Sequence, residues 1–577
     1  MTYVLGINSA YHESSACLIK NGKVVAMAEE ERFTRIKHAK KARVDNPDDL
    51  PWKSISFCLE QAGIELPEVD YVGFSIDPKE RIKMNKEHVH PYCILKNSFG
   101  TLEGEEIFYE KSKSVEKNIY MAGFKGKFIF LSHHDCHAAS TFLVSPFKKA
   151  AILVIDGIGE FDSTTLYSGN DKQLKKIKAI FFPNSLGFLW EKVCKYMGFS
   201  EYDSCRLMGL ASYGDPHVYW EKMARLVSVE DNGLFTINDA FACLRNEEFN
   251  QLEKLFELPK RHESVRIVNE DTQRYADLAA TLQKITEEII VKLARFLKSE
   301  TGSSNLCIAG GVALNCVANN KIAEAKIFDK LFIQPAANDA STALGACYLI
   351  WNTLLGNNRT YEFESPFLGP EFSPMEVKDL LKRRGLNYEY VEHIEEKTAL
   401  LLASGNVVGW FQGRMEVGPR ALGNRSILFD PRRKDAVKHL NEKVKHREPF
   451  RPFCPSVLSD KVGDWFTFDS CAEQPARYML AAVSVVESKR GLVPAVVHVD
   501  GTARIQLVSS QSNLLFYKLI KEFEKITGVP ILLNTSFNDQ EPIVCTPQDA
   551  LATFLKTNID YLVIGNYLIS RRNNHGN

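Results

Sequence analysis

The sequence lacks an excess of either charge, a paired-cysteine motif and a long apolar run, and each absence excludes a class of function. Lysine plus arginine (71) nearly cancels aspartate plus glutamate (72), for a net charge of −1 over 577 residues. A chain without a global basic field does not hold a polyanion by counterion release, so nucleic acid is not expected as a partner. No run of about 18 apolar residues occurs, and no membrane span is expected. The opening Met-Thr-Tyr-Val-Leu-Gly-Ile-Asn has no basic start and meets His12 and Glu13 before a signal-like apolar core is complete, which points to the cytoplasm. Thirteen cysteines are scattered from Cys17 to Cys545 without a Cys-x-x-Cys pair. They read mostly as small buried hydrophobes in a reducing compartment, not as disulfides or a thiolate zinc site.

What is present is ordinary globular material, 45% apolar and 25% charged, with 34 glycines and 23 prolines. At about 150 residues per domain the length allows four domains or two large ones. Tyr3-Val-Leu-Gly-Ile, the polar loop Asn8 to Ser15, Ala16-Cys-Leu-Ile, Asn21-Gly22 and Val24-Val-Ala-Met read as strand, loop, strand, tight turn and strand. The same design returns at Ala151-Ile-Leu-Val-Ile, Asp156 to Ser163, Thr164-Thr-Leu-Tyr and Gly169-Asn170. A repeat of this kind, with helical material after each copy, predicts two similar α/β halves facing one another across a cleft, the actin-like nucleotide-binding architecture. Apolar spacings of 3 and 4 over residues 276–299 predict a long helix. Leu306-Cys-Ile-Ala predicts a buried strand running into Gly310-Gly311, where the open backbone suits a ligand or a plain tight turn. Asn338 or Asp339 is expected to cap a helix over Ala343–Leu354. From Gly356 to Pro374 the chain turns polar and rich in Gly, Pro and Asn, so domains are placed at 1–360 and 361–577.

His133 and His137 stand four apart, which on a helix puts both imidazoles on one face within reach of one metal ion and points His134 and Asp135 elsewhere. Such pairs also decorate ordinary surface helices. Asp156 and Asp339 each follow a buried strand, where an actin-like cleft presents a carboxylate, and the combined donor set suits Fe(II), Mn or Zn. In the C-terminal part, Arg414, Arg420, Arg425, Lys445, Arg447 and Arg451 lie among glycines and prolines. That setting fits oligophosphate or carboxyl-phosphate recognition, with a salt-bridged surface as the alternative. His498 to Arg504 and Asn534 to Asn538 follow β-rich apolar runs, where α/β domains bind ligands and where turns use the same residue types.

Taken together the motifs resemble the nodulation-type O-carbamoyltransferase family over nearly the whole chain. The resemblance is carried by Tyr11-His-Glu-Ser-Ser-Ala, Glu29-Glu-Glu-Arg, His133-His-Asp-Cys-His-Ala-Ala-Ser and Met208-Gly-Leu-Ala-Ser-Tyr-Gly. It continues through Gly310-Gly-Val-Ala-Leu-Asn, Gly413-Arg-Met-Glu-Val-Gly-Pro-Arg, Phe450-Arg-Pro-Phe-Cys-Pro-Ser-Val, Val499-Asp-Gly-Thr-Ala-Arg and Leu533-Asn-Thr-Ser-Phe-Asn. It implies an α/β chain with an N-terminal actin-like carbamoyl-transfer domain and a C-terminal YrdC-like domain that makes carbamoyl adenylate. ATP, Mg²⁺ and carbamoyl phosphate are the implied reactants, with a divalent transition metal, Fe²⁺ in the first place. The implied acceptor is a hydroxyl of a secondary metabolite or glycan, selected by loops such as 77–125 and 215–275.

Carried over by motif, Arg420, Lys445, Arg451, Arg504, Asn534 and Ser536 bind carbamoyl phosphate and ATP. His133, His137, Asp156 and Asp339 hold the metal, and Gly310, Gly311 and Asn315 receive the adenylate. His12 and Lys37 are the implied catalytic pair, deprotonating the acceptor hydroxyl and polarising the carbamoyl carbonyl. The sequence departs from the family pattern at Ser341-Thr342, where small glycine-like residues are usual, at Ser204-Cys205-Arg206 and at Ala476-Arg477. Two readings from other classes are an actin-like metal-dependent kinase or ATPase, which leaves the arginine-rich part without a task, and a non-enzymatic nucleotide sensor. A homodimer is compatible with the sequence.

Overall fold

Six consecutive buried residues make Tyr3–Asn8 (β1) an interior strand, and Asn21 and Gly22, at φ 48° and 79°, reverse the chain between Ser15–Lys20 (β2) and Lys23–Glu29 (β3). In this computed structural model, which describes residues 1–88 and 95–571, Tyr71–Phe74 (β4) and Lys127–Phe130 (β5) extend the sheet in parallel, giving the order β3-β2-β1-β4-β5. The second copy is built from Lys149–Ile155 (β6), Asp162–Asn170 (β7) and Gln173–Phe181 (β8). After the small hairpin Val227–Val229 (β9) and Phe235–Ile237 (β10), the strands Asn305–Ala309 (β11) and Lys330–Ile333 (β12) complete it. Its order, β8-β7-β6-β11-β12, repeats the first sheet strand for strand and direction for direction. One topology occurring twice is the duplicated actin-like arrangement.

The helices His133–Phe142 and Thr342–Tyr348 follow β5 and β12, the same place in each copy. They cross so closely that a Cβ on Gly345 would stand 1.8 Å from the Cys136 carbonyl oxygen, and the second helix packs as closely on β1, where a Cβ on Gly6 would stand 1.8 Å from the Ala343 carbonyl oxygen. Glycine at both positions permits these close approaches. The long helix runs Gln273–Thr301, buries Leu278, Leu282, Ile285, Ile289, Leu293 and Leu297, and stops at Gly302 with φ 60°. The helix expected over Ala343–Leu354 is instead an α-helix to Tyr348 continued by a wider π-helical turn, Leu349–Leu354. Neither Asn338 nor Asp339 caps it with a side chain, because the Asp339 carboxylate faces two imidazoles. Among the described residues no helix is long and apolar enough to cross a membrane.

Contacts divide the chain into two units, Met1–Thr34 with His38–Phe363, and Arg35–Lys37 with Glu364–Asn577. In the second unit the strands are Glu389–Tyr390 (β13), Val408–Phe411 (β14), Arg425–Phe429 (β15), Cys454–Leu458 (β16), Phe466–Thr467 (β17) and Ala482–Val485 (β18). Thr502–Arg504 (β19), Gln506–Val508 (β20), Ile531–Ser536 (β21), Tyr561–Ile564 (β22) and Tyr567–Ser570 (β23) follow. Eight of them form one mixed sheet, β13-β23-β22-β14-β15-β21-β16-β20, and β17-β18-β19 form a smaller one.

Two of the arginines grouped with the phosphate cluster are structural. Arg425 is fully buried, lies 3.6 Å from the Phe411 ring centre, and donates to the carbonyls of Gln412, Asn424, Pro370 and Gly413 at 2.5–3.1 Å. Arg414 likewise donates to the carbonyls of Gly369 and Leu368. Backbone curled around a guanidinium leaves dry carbonyls when the cation is removed. Arg425→Met is therefore expected to destabilise the second unit by about 3 kcal/mol, read from urea unfolding followed by the fluorescence of buried Trp410.

Candidate functional site

The first unit gathers four ligand-type side chains at one point. His133 and His137 come from one face of the helix His133–Phe142, Asp156 from the end of β6, and Asp339 from the loop after β12. All four are buried, and their ligand atoms lie within 4.8 Å of one another. His133 Nε2 stands 3.5 Å from Asp156 Oδ2 and 3.7 Å from Asp339 Oδ1, and His137 Nε2 stands 3.6 and 3.7 Å from the same atoms. Two donors each about 2.1 Å from one ion are separated by such distances. Neither Nε2 has a hydrogen-bond partner among the described residues, a costly state for buried polar atoms and one that a cation resolves. The residues fit a divalent metal.

The surroundings orient the ligands. His133 Nδ1 is 2.9 Å from the Ser75 carbonyl oxygen, which can only accept, so Nδ1 carries the proton and Nε2 presents its lone pair inward. Asp156 Oδ1 accepts from the Gly311 N–H at 2.8 Å, leaving Oδ2 for the centre. Glu160 Oε1 accepts from the His133 and Asp77 N–H groups, both at 2.9 Å, and anchors the helix start. Thr342 Oγ1, one of the departures from the family pattern, sits 2.9 Å from Ser75 Oγ and 2.7 Å from the Asp339 carbonyl oxygen. His134 and Asp135 point away, His134 to Thr165 Oγ1 at 2.6 Å and Asp135 to the Tyr167 hydroxyl at 2.8 Å. Burial alone would lower the basicity of both ligand imidazoles, but the two carboxylates outweigh it and raise the pKa of each.

His12 lies close by. Its ring packs edge-on against Tyr202 at 5.1 Å, and it stands within electrostatic reach of Asp339 and Glu191. Glu191, on the helix Leu186–Tyr196, is unmarked in the sequence and stands within electrostatic reach of His12 and Asp156. Burial pushes its pKa up to about 7, with His12 and Lys195 opposing and Glu201 and Asp156 adding, so it carries a proton through part of the neutral range. Gly310, at φ 94°, is fixed by the fold, since a Cβ there would stand 2.2 Å from the Ile155 carbonyl oxygen. At Gly311 a Cβ would meet Asp156 Oδ1 at 3.1 Å, the oxygen that its own N–H bonds. Asn315 caps the next helix through the Ala318 N–H and bonds Gln283.

The second unit holds a separate basic site. Lys445 is 3% exposed, and Nζ donates to the Ser536 carbonyl, Ser536 Oγ, the Asn538 carbonyl and Asn538 Oδ1 at 2.6–3.2 Å. All four acceptors are neutral. Burial first, then the neighbouring charges of Arg447, Arg451 and Lys37, hold its pKa well below the ordinary lysine value, with Asp539 opposing. Lys37 is exposed, groups with this unit, and exerts its charge on Lys445. Arg451 pairs with Glu448 at 3.7 Å, Arg504 donates to Cys454 Sγ at 2.9 and 3.1 Å, and Arg420 is half-buried in the turn before Gly423. Asn534 Nδ2 serves the sheet, donating to the Ala421 carbonyl, Ser456 Oγ and Gln506 Oε1, while its Oδ1 has no partner among the described residues.

Comparison with known proteins gives two matching family models, "Carbamoyltransferase N-terminus" over residues 3–348 and "Carbamoyltransferase C-terminus" over residues 399–571. An uncharacterized protein of Synechocystis sp. is 39% identical, covering 99% of this chain and 97% of its own. The nodulation protein NolNO of Sinorhizobium fredii is 38% identical over 98% of this chain and 80% of its own, and NolO of Bradyrhizobium diazoefficiens is 37% identical over 77% and 79%.

Proposed function

The chain belongs to the carbamoyltransferase family, and from that premise we propose that it is an ATP-dependent O-carbamoyltransferase working at two sites. Residues 361–577, read as the YrdC-like domain, make carbamoyl adenylate, and residues 1–360 pass the carbamoyl group to a hydroxyl of a small molecule. The observation that carries this reading is Lys445, a buried amine whose acceptors among the described residues are neutral oxygens and whose charged surroundings are mainly Arg447, Arg451 and Lys37, with Asp539 opposing. Such a group is stabilised by an oligophosphate and by little else.

In the second unit carbamoyl phosphate loses phosphate to water, giving carbamate. A carbamate oxygen then attacks the α-phosphorus of ATP, the bond to the β-phosphate oxygen breaks, and pyrophosphate leaves, with Lys445, Arg420 and Arg451 balancing the charge. In the first unit the adenylate approaches the backbone at Gly310 and Gly311. His12 takes the proton of the acceptor hydroxyl, whose oxygen attacks the carbamoyl carbon, and AMP departs. His133, His137, Asp156 and Asp339 would hold the metal, Fe²⁺ in the first place, which supplies electrostatic stabilisation of the adenylate phosphate. Burial of the adenylate protects it from hydrolysis.

Product analysis tests the reading. With ATP, Mg²⁺ and carbamoyl phosphate, pyrophosphate and AMP are expected only when carbamoyl phosphate is present. ADP as the nucleotide product would sink the proposal in favour of a kinase.

A further inference from the structure

Among the described residues, Arg245 of the first unit makes no ion pair. Arg245 stands between the helices Asp239–Ala242 and Asn250–Phe256. Its Nε and Nη2 are buried and, among the described residues, neither finds an acceptor. The neighbouring arginine does not share this state: Arg81 makes a two-pronged pair with Glu105 at 2.7 and 2.8 Å, so that carboxylate is taken. Burial brings the Arg245 pKa down to about 10, with Glu105 opposing and Arg81 adding, and the group stays charged at neutral pH.

The guanidinium is held in an aromatic setting, 4.2 Å from the ring centre of Phe182 and 5.7 Å from that of Phe188. Its loop is pinned rather than loose. Lys192 Nζ donates to the carbonyls of Cys243, Asn246 and Glu248 at 2.7–2.9 Å, and Asp239 Oδ1 accepts from the Leu244 N–H at 2.9 Å. The helix Leu186–Tyr196 that carries Lys192 also carries Phe188 and Glu191. The Phe188 ring edge lies 3.7 Å from where a Cβ on Gly157 would be, and Gly157 follows the ligand Asp156. One phenyl ring therefore links the unpaired guanidinium to the metal loop.

A desolvated guanidinium whose Nε and Nη2 find no acceptor among the described residues is stabilised by an oxyanion. We propose that Arg245, Phe182 and Phe188 form the acceptor subsite, and that the acceptor bears a carboxylate on a flat apolar body in addition to its hydroxyl. The inference rests on the reading that this unit carbamoylates a hydroxyl, and it names the class of molecule that enters.

The test is titration calorimetry of the full chain with benzoate, and with benzamide as its uncharged match, against wild type, Arg245→Met and Arg245→Lys. Benzoate is expected to bind wild type about tenfold or more tightly than benzamide does, to weaken by about tenfold or more in Arg245→Met, and to recover in part in Arg245→Lys. Without ligand, Arg245→Met is expected to melt no lower than wild type, because it removes an unpaired buried charge. Equal benzoate binding by wild type and Arg245→Met overturns the subsite, as does no benzoate binding to wild type. A clearly lower melting temperature or failure to fold in Arg245→Met, marking a structural arginine, overturns it too. Pyrophosphate release by wild type is scored apart: its absence sinks the two-site reaction and leaves the benzoate result standing.

Discussion

His137→Ala is expected to empty the metal centre and slow carbamoyl transfer by about 10³-fold, while pyrophosphate release that depends on carbamoyl phosphate continues. The expectation follows from how the four ligands are carried. His133 and His137 share one helix and both Asp carboxylates reach across to them at 3.5–3.7 Å, so loss of one imidazole leaves two acidic oxygens facing a single nitrogen. Metal content by plasma mass spectrometry and transfer to a hydroxyl acceptor should fall together. A chelator should reproduce the loss in wild type, and added Fe²⁺ should reverse it there and not in the variant. Asp339→Asn separates charge from shape, since it keeps the side-chain volume and removes the anion, and it should follow His137→Ala. Transfer at the wild-type rate in a metal-free His137→Ala chain would show that the cluster is structural.

The repeat, the long helix and the His133–His137 spacing were legible because each is written in local sequence. A strand that must be buried on both faces, an Asn-Gly turn and a four-residue helical spacing need no knowledge of distant partners. Asp339 shows where local rules stop: a capping residue in front of a helix by sequence, it turns instead to imidazoles presented by a helix some two hundred residues earlier in the chain. Arg425 was indistinguishable from its neighbours in an arginine-rich stretch, and only the path of the backbone, which aims four carbonyls at it, makes it a keystone. Glu191 and Arg245 sit in unmarked sequence. Their character comes from what surrounds them, burial and acidic neighbours for Glu191 and a bonding contact already made elsewhere by Glu105 for Arg245. Lys37 was paired with His12 by the resemblance, and its charge acts on Lys445, because Arg35–Lys37 group with the second unit.

Lys445→Met should abolish the other half of the reaction, lowering pyrophosphate release by about 10²–10³-fold and leaving metal content unchanged. Lys445→Arg should not restore it, because the four oxygens of Ser536 and Asn538 close on a single nitrogen and a planar fork does not fit that cage. The same residue has a signature in stability. Its folded pKa lies well below the ordinary value, about 10.4 in an unfolded chain, so between the two the unfolded state binds a proton that the folded state has released. Stability then rises with pH across that window. Measured by urea unfolding without ligand, wild type should gain on Lys445→Met as pH climbs from the depressed pKa toward that of free lysine, and the difference should be flat below it, where both states are protonated. ATP brings the missing negative charge, raises the folded pKa and should narrow the window. A pH-independent difference, or one that ATP does not alter, would mean that Lys445 is a neutral brace for the Ser536–Asn538 turn and that the oligophosphate binds elsewhere.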